Sequence, residues 1–177
     1  MTDFIDYLEG LKEDRPALAA LRRGLGYTAD DAPAETRHII EPRLSQTTSQ
    51  SWERACYIVG PLFAFHPESI DSGDMGWHLR AIRGDDPNET AVERRFTQLL
   101  AAHPDDLADY LRQAVSLLKA KDQPIHWRRL FFDVLTWQGS DEDARNRVQK
   151  RWAASFWRAS FDKPTGAQTP TTTEEGE

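Results

Sequence analysis

Residues 89–121, ETAVERRFTQLLAAHPDDLADYLRQAVSLLKAK, decide the fold class of this 177-residue chain. Apolar residues recur in this stretch at intervals of three or four, at Val92, Phe96, Leu99 and Leu100 and again at Leu107, Leu111, Ala114, Val115 and Leu118. That spacing lines one face of a helix, whereas a strand would need apolar residues at every second position. The stretch therefore predicts two amphipathic helices, over 89–102 and 105–121.

The same helical period continues on both sides of this stretch, so the whole chain is predicted to be all-α. We expect a two-lobe protein made of an N-terminal helical lobe over 1–66, a connecting loop and short helix over 67–88, an antiparallel four-helix bundle over 89–161 and a disordered acidic tail over 162–177. Glycine and proline mark the connecting segment, and four amphipathic helices with short connections favour a bundle. Ser140 is predicted to cap the last helix.

Cysteine content and hydropathy limit where the protein works. A single cysteine, Cys56, excludes a disulfide within the chain. No segment approaches the roughly 18 apolar residues that cross a bilayer, and the start, Met-Thr-Asp-Phe, does not resemble a secretion signal. We therefore expect a cytoplasmic protein that makes no membrane contact.

The sequence contains no recognisable catalytic or metal-binding pattern. The five histidines lack the spacing of metal ligands on a helix, and they are His38, His66, His78, His103 and His126. Asp133 stands alone in an apolar run, where an ion pair with Arg129 one turn earlier is favoured over a catalytic role. Phosphate-binding loops, nucleophile elbows and zinc-protease motifs are absent. We expect no enzyme activity, no catalytic residue, no metal, no cofactor and no small-molecule substrate.

Charge is distributed unevenly along the chain. The net charge of −7 argues against phosphate binding, but residues 77–161 carry 14 bases against 12 acids. Basic pairs recur on different predicted helices, at Arg22 with Arg23, Arg80 with Arg83, Arg94 with Arg95, Arg112 with Lys119, and Arg128 with Arg129. These pairs could converge into one basic strip, or they could surround the core and pair with nearby acids, a fate expected for about half of them.

The last predicted helix separates an apolar face from a basic flank. Val148, Trp152 and Phe156 fall on its buried side, while Arg147, Arg151 and Arg158 fall together on its flank. Of the six tryptophans, Trp127, Trp137 and Trp152 are predicted to lie in the core. Trp157 lies off the apolar stripe and is expected to face a partner.

Several short motifs in a fixed order resemble a known family. They are ALRRGLG at 20–26, PLFAFHP at 61–67, Leu79-Arg80, ERRFTQLL at 93–100 and RWAASFW at 151–157. Together they resemble the CasB family, the small subunit of the type I-E CRISPR surveillance complex Cascade, over about residues 4–160. The family's glycine-rich phrase appears here in the variant form DSGDMG at 71–76.

The resemblance implies a helical, non-enzymatic subunit present in two copies. Its expected partners are the other Cascade subunits, a second copy of itself, the CRISPR guide RNA and the target DNA, above all the displaced strand. Candidate backbone contacts carried over by matched position are Arg22, Arg23, Arg80, Arg94, Arg95 and Arg151, followed by Arg54, Arg83, Arg112, Lys119, Arg128 and Arg129. A purely architectural subunit that bridges proteins and touches no nucleic acid is the alternative.

Overall fold

The computed structural model describes residues 4–83 and 90–158. The α-helices in these ranges are α1 (Phe4–Gly10), α2 (Arg15–Arg22), α3 (Ala34–Ile40), α4 (Gln50–Phe65), α5 (Met75–Arg83), α6 (Thr90–Leu100), α7 (Leu107–Ala120), α8 (Trp127–Trp137) and α9 (Glu142–Trp157). Short 3-10 turns at Glu41–Arg43 and Pro104–Asp106 extend α3 and precede α7. The prediction of an all-α fold is confirmed. The predicted tail over 162–177 lies outside the described residues.

Side-chain caps fix where several helices begin. Asp14 before α2 and Ser49 before α4 each accept a hydrogen bond from the backbone amide three residues further along, which satisfies an otherwise unpaired donor. The same bond, 2.9 Å long, is made before α9 by Asp141. The predicted cap, Ser140, is therefore wrong by one residue, because the Asp141 backbone has the extended conformation that a cap requires.

The core runs without interruption from Phe4 in α1 to Phe156 in α9. Helix α4 packs against both α2 and α8, and nine of its sixteen residues are buried. The four helices of the predicted bundle, α6 to α9, contact one another as the pairs α6 with α7, α8 with α9, and α6 with α9. Helix α5 joins them by packing along α9. The division into two lobes at residue 66 stays a prediction.

Helices α5 and α9 approach each other at backbone distance. A Cβ atom added to Gly76 would lie 2.0 Å from the carbonyl oxygen of Trp152, so only glycine fits at this crossing. Asp74 accepts a 3.0 Å hydrogen bond from the amide of Trp77 at the start of α5 and a 2.9 Å bond from the Ser155 hydroxyl of α9. The crossing is thus fixed by both backbone and side chains.

The segment that leads into α5 is bonded to the connection between α7 and α8. The amide of Ile125 donates to the carbonyl of Glu68 at 3.0 Å, and the amide of Ile70 donates to the carbonyl of Ile125 at 3.2 Å. The indole nitrogen of Trp127 adds a 3.2 Å bond to the Glu68 carbonyl. Within the described ranges, β pairing is confined to this one parallel bridge, which ties the predicted connecting loop to the C-terminal helices.

Candidate nucleic-acid interface

Three of the predicted cations meet at a groove where α4 ends. Its walls, drawn from the loop after α2 and from α4, α6 and α7, are Leu25, Phe65, Arg95, Arg112, Gln113 and Ser116. Lys119, one helical turn beyond Ser116, donates a 2.6 Å hydrogen bond to the carbonyl of Phe65 and lies 4.0 Å from the centroid of the Phe65 ring. We call this surface the Phe65 groove. It unites Arg95, Arg112 and Lys119, which the sequence placed on two separate helices.

The positive charge of the Phe65 groove is largely unneutralised. Within residues 4–83 and 90–158, no carboxylate lies within ion-pair distance of Arg95. Arg112 approaches Asp109 at 3.8 Å, but both side chains are more than half exposed, so water screens the pair. The bond from Lys119 goes to a neutral carbonyl and leaves its charge in place. Phosphate oxygens could therefore bind here without displacing a strong ion pair.

Two further predicted arginines, Arg22 and Arg94, are exposed and carry no ion pair with any acid in the described part of the chain. Arg94 immediately precedes the groove residue Arg95 on α6. Arg22 ends α2 three residues before the groove residue Leu25, and its Nε donates a 3.3 Å bond to the carbonyl of Leu18 in its own helix. Both arginines keep a full positive charge at the surface.

Five of the predicted arginines are instead paired with acids. The pairs are Arg23 with Glu35 at 3.4 Å, Arg54 with Asp105 at 3.6 Å, Arg83 with Glu93 at 3.9 Å, Arg129 with Asp133 at 3.4 Å, and Arg128 with Asp6. None of the five lines the Phe65 groove. Their local charge is reduced by the neighbouring carboxylate, as the alternative interpretation of the basic pairs predicted.

The remaining two predicted site residues, Arg80 and Arg151, are held by the protein itself. Arg80 donates to the carbonyl of Arg158 at the end of α9. The guanidinium of Arg151 is about two-thirds buried and lies between two carboxylates, 3.6 Å from Asp74 and hydrogen-bonded to Asp133. These contacts join α9 to α5 and α8, so both side chains contribute to packing.

Asp133 is a buried acceptor for several donors. The predicted ion pair with Arg129 is present, and Asp133 also accepts hydrogen bonds from Arg151 and, at 2.7 Å, from the indole nitrogen of Trp152. Burial raises the pKa of the Asp133 carboxyl, and the bonds from Arg151 and Trp152 oppose this shift. Both oxygens of this carboxylate serve the contact between α8 and α9, which favours a structural role over catalysis.

The tryptophans divide as their helical positions predicted. Trp127, Trp137 and Trp152 are at most 1 % exposed, while Trp157 is 45 % exposed at the end of α9. The indole nitrogen of Trp157 donates a 3.2 Å bond to Glu93 on α6. Trp157 is therefore a surface residue available to a partner.

Residues 4–83 and 90–158 show few features of a metal site, a reactive thiol or a membrane-spanning helix. No group of three or more histidine, cysteine, aspartate or glutamate side chains in these ranges could hold a metal ion. Cys56 is fully buried in α4, and burial raises the pKa of its thiol to about 12. The helices of the described part are too short or too polar to span a membrane.

Comparison with known proteins yields a family match that covers most of the chain. The model of the family described as CRISPR-associated protein Cse2 matches residues 17–157. A CRISPR-associated protein Cse2 from Thermus thermophilus is 34 % identical over 161 residues, which cover 89 % of this chain and 88 % of the relative.

Solved structures agree with this assignment. The crystal structure of CasB from Thermus thermophilus has a TM-score of 0.72 at 30 % identity and covers 87 % of this chain and 95 % of its own. A chain of a structure described as a CRISPR RNA-guided surveillance complex has a TM-score of 0.71 at 21 % identity, with coverages of 86 % and 91 %, and so shares the fold. The predicted resemblance to CasB is confirmed, and the chain belongs to the Cse2 family of CRISPR-associated proteins.

Proposed function

We propose that this chain is a non-catalytic subunit of a CRISPR surveillance complex and holds nucleic-acid backbone against the Phe65 groove. Its partners would be the other subunits, a second copy of itself, the guide RNA and the displaced strand of the target DNA. Membership of the Cse2 family supports the proposal, and so does the shared fold with a chain of a surveillance complex.

One observation carries the proposal. Arg95 and Arg112 line one groove, and Lys119 is bonded to the carbonyl of Phe65 in its wall, on a chain whose net charge is −7. Clustering of uncompensated cations is costly for a fold unless an anion binds there, and a phosphate backbone supplies regularly spaced anions. Contacts to phosphate do not read base sequence, as a subunit that accepts any target requires. Opening of the DNA duplex by a guide is nearly balanced in free energy, so modest contacts of this kind favour the open state.

A second candidate function is that of an architectural bridge without nucleic-acid contact. The ion-paired arginines favour it, because charges that face acids of their own chain are less available to phosphate. Among residues 4–83 and 90–158, four large apolar side chains are exposed by 42 % to 47 % and could contact proteins, namely Tyr27, Trp77, Phe132 and Trp157.

The salt dependence of DNA binding distinguishes the two functions. The triple variant Arg95→Ala, Arg112→Ala, Lys119→Ala removes the charges of the Phe65 groove. A matched control, Arg23→Ala, Arg54→Ala, Arg147→Ala, removes three arginines that have carboxylate partners. Binding of labelled single-stranded DNA is measured by anisotropy at several salt concentrations. The groove variant should lose affinity, with the slope of log K against log salt reduced by about 2, while the control changes by less than about 1.

Two outcomes would contradict the proposed role of the groove. Equal slopes for the groove variant and the wild type would remove these three side chains from the interface. DNA binding that is absent from the wild type, while partner subunits still co-purify with it, would leave the architectural function. Circular dichroism of each variant establishes that the helices are retained.

The proposed lack of catalytic activity is tested by a cleavage assay. Labelled DNA and RNA are incubated with excess protein and with Mg²⁺, Mn²⁺ or Zn²⁺ in turn. We expect no metal-dependent cleavage, since the described residues lack a cluster of metal ligands. Turnover that follows protein concentration and survives repurification would contradict this part of the proposal.

A further inference from the structure

The described part of the chain ends against α6, the helix that carries the unpaired residues Arg94 and Arg95. Trp157 is hydrogen-bonded to Glu93 at 3.2 Å, and its ring centroid lies 5.2 Å from that of Phe96. Arg94 and Arg95 lie between these two contact residues in sequence, so they point to other sides of α6. Arg80 of α5 donates to the carbonyl of Arg158, so the end of the described chain is held to α5 as well as to α6.

The residues that follow Arg158 carry a net negative charge, which could pair with the positive charge of these arginines. The sequence 159–177 contains four acids and one base, and three of the acids are Glu174, Glu175 and Glu177. Glu174 is the sixteenth residue after Arg158. An extended chain of that length spans up to about 53 Å, whereas α6 and α7 are only about 16 Å and 21 Å long. The three glutamates can therefore reach every cation on either helix.

We propose that the acidic segment 174–177 binds within the same molecule to Arg94, Arg95 and Arg112 and competes there with nucleic acid. Carboxylate and guanidinium groups form charge-assisted hydrogen bonds, and the tether gives the glutamates an effective concentration on the order of millimolar. Exposed ion pairs are individually weak, so a long phosphate backbone displaces three glutamates whereas a short or sparsely charged ligand does not. The segment would thus discriminate against weakly charged anions.

That nucleic acid is the competing ligand rests on the proposed function, but the contact within the molecule does not depend on it. Contact is therefore tested first in the absence of nucleic acid. A nitroxide label is attached at Gly176→Cys, where the buried Cys56 does not compete for the reagent. At low salt, paramagnetic broadening should be strongest for the amides of Arg94, Arg95 and Arg112, and it should disappear as salt is raised.

Two results would overturn the intramolecular contact. Broadening spread evenly over all surface amides would show that the segment has no preferred site. The second result comes from mixing nitroxide-bearing protein of natural isotope content with ¹⁵N-labelled protein that carries no nitroxide. Preferential broadening in that mixture would place the contact between molecules.

Competition is tested with the variant Glu174→Gln, Glu175→Gln, Glu177→Gln. Its affinity for short single-stranded DNA should rise about threefold to tenfold at low salt and converge on that of the wild type at high salt. The control Glu13→Gln, Glu68→Gln, Asp71→Asn removes the same charge from exposed acids that form no ion pair in the described residues. A rise of the same size in the control would overturn the competition, because net charge alone would then explain it.

The two experiments distinguish failure of the intramolecular contact from failure of the proposed function. Preferential broadening together with no DNA binding by any variant would leave the contact standing and remove the proposed function. DNA binding through the Phe65 groove together with even broadening would do the reverse.

Discussion

The indole nitrogen of Trp152 donates a 2.7 Å hydrogen bond to the carboxylate of Asp133, across the contact between α9 and α8. Arg151 donates to the other oxygen of the same carboxylate. The substitution Asp133→Ala removes the acceptor of both donors and leaves the guanidinium of Arg151, which is about two-thirds buried, with only Asp74 at 3.6 Å. We expect the free energy of unfolding in urea to fall by about 3 kcal/mol.

A matched control for this substitution is Glu35→Ala, which removes the acid partner of Arg23. Both members of that pair are more than half exposed, so the loss should stay below about 1 kcal/mol. Equal losses of unfolding free energy in the two variants would show that the bonds of Asp133 contribute no more to stability than those of an exposed ion pair.

Gly76 permits the close crossing of α5 and α9, and we expect Gly76→Ala to be strongly destabilising. The new Cβ would meet the carbonyl oxygen of Trp152 at 2.0 Å, and neither backbone can move without separating the two helices. A loss of more than about 2 kcal/mol in the free energy of unfolding is expected.

Gly10→Ala provides the comparison for Gly76. A Cβ atom at Gly10, the last residue of α1, would have no neighbour within 4 Å, so the change should be neutral or stabilise the protein by up to about 1 kcal/mol. Thermal unfolding of both variants measures the difference. A tolerated Gly76→Ala would mean that α5 and α9 can shift apart at little cost.

His78 should make the protein sensitive to acid. Its ring is 1 % exposed, and its Nε2 accepts a 3.0 Å bond from the amide of His126, so the neutral ring is the form that fits. Burial, aided by nearby His126, lowers the pKa of His78 to about 4. The unfolded chain, with a histidine pKa near about 6.5, takes up the proton first as the pH falls. Stability should therefore decrease by about 3 kcal/mol between about pH 6.5 and pH 4.

Urea unfolding as a function of pH measures this contribution. His78→Gln keeps an acceptor for the amide of His126 but cannot be protonated, so its stability should fall less steeply over the same interval. The control His38→Gln, at an exposed position on α3, should keep the steep dependence of the wild type. A slope unchanged by His78→Gln would assign the acid sensitivity to other groups.

Cys56 should be chemically inert in the folded protein. Its thiol is fully buried in α4, and a pKa of about 12 leaves almost no thiolate at neutral pH. A disulfide reagent that releases a coloured thiol should react with Cys56 in guanidinium chloride and not in buffer. Comparable rates in the two solvents would show that α4 opens readily.

The helices could be predicted from the sequence because their signals are local. The apolar period of α6 and α7 required only neighbouring residues, and the structure places both helices within two residues of the predicted bounds, 89–102 and 105–121. The same holds for Asp133 and Arg129, which are four residues apart on α8. A cap is equally local, and the choice of Ser140 over Asp141 failed because adjacent residues of similar capping strength differ only in backbone conformation.

The candidate site depended on contacts that no local pattern reveals. The Phe65 groove draws Leu25, Phe65, Arg95 and Arg112 from four separate segments, so a sequence can name the cations but not bring them together. Acid partners are similarly remote, as with Arg128, whose partner Asp6 is 122 residues away. The three-dimensional structure was therefore needed to tell which arginines have an acidic partner and which do not.

The bonds that join Glu68 and Ile70 to Ile125 also decide how the molecule responds to force. A hinge needs a segment whose backbone dihedrals can change freely, and here the segment before α5 is bonded to the connection between α7 and α8. Helices α1, α4, α8 and α9 contact one another in that order, so they form a continuous packed path across the molecule. Bending at residues 68–70 would therefore first have to break these two backbone hydrogen bonds.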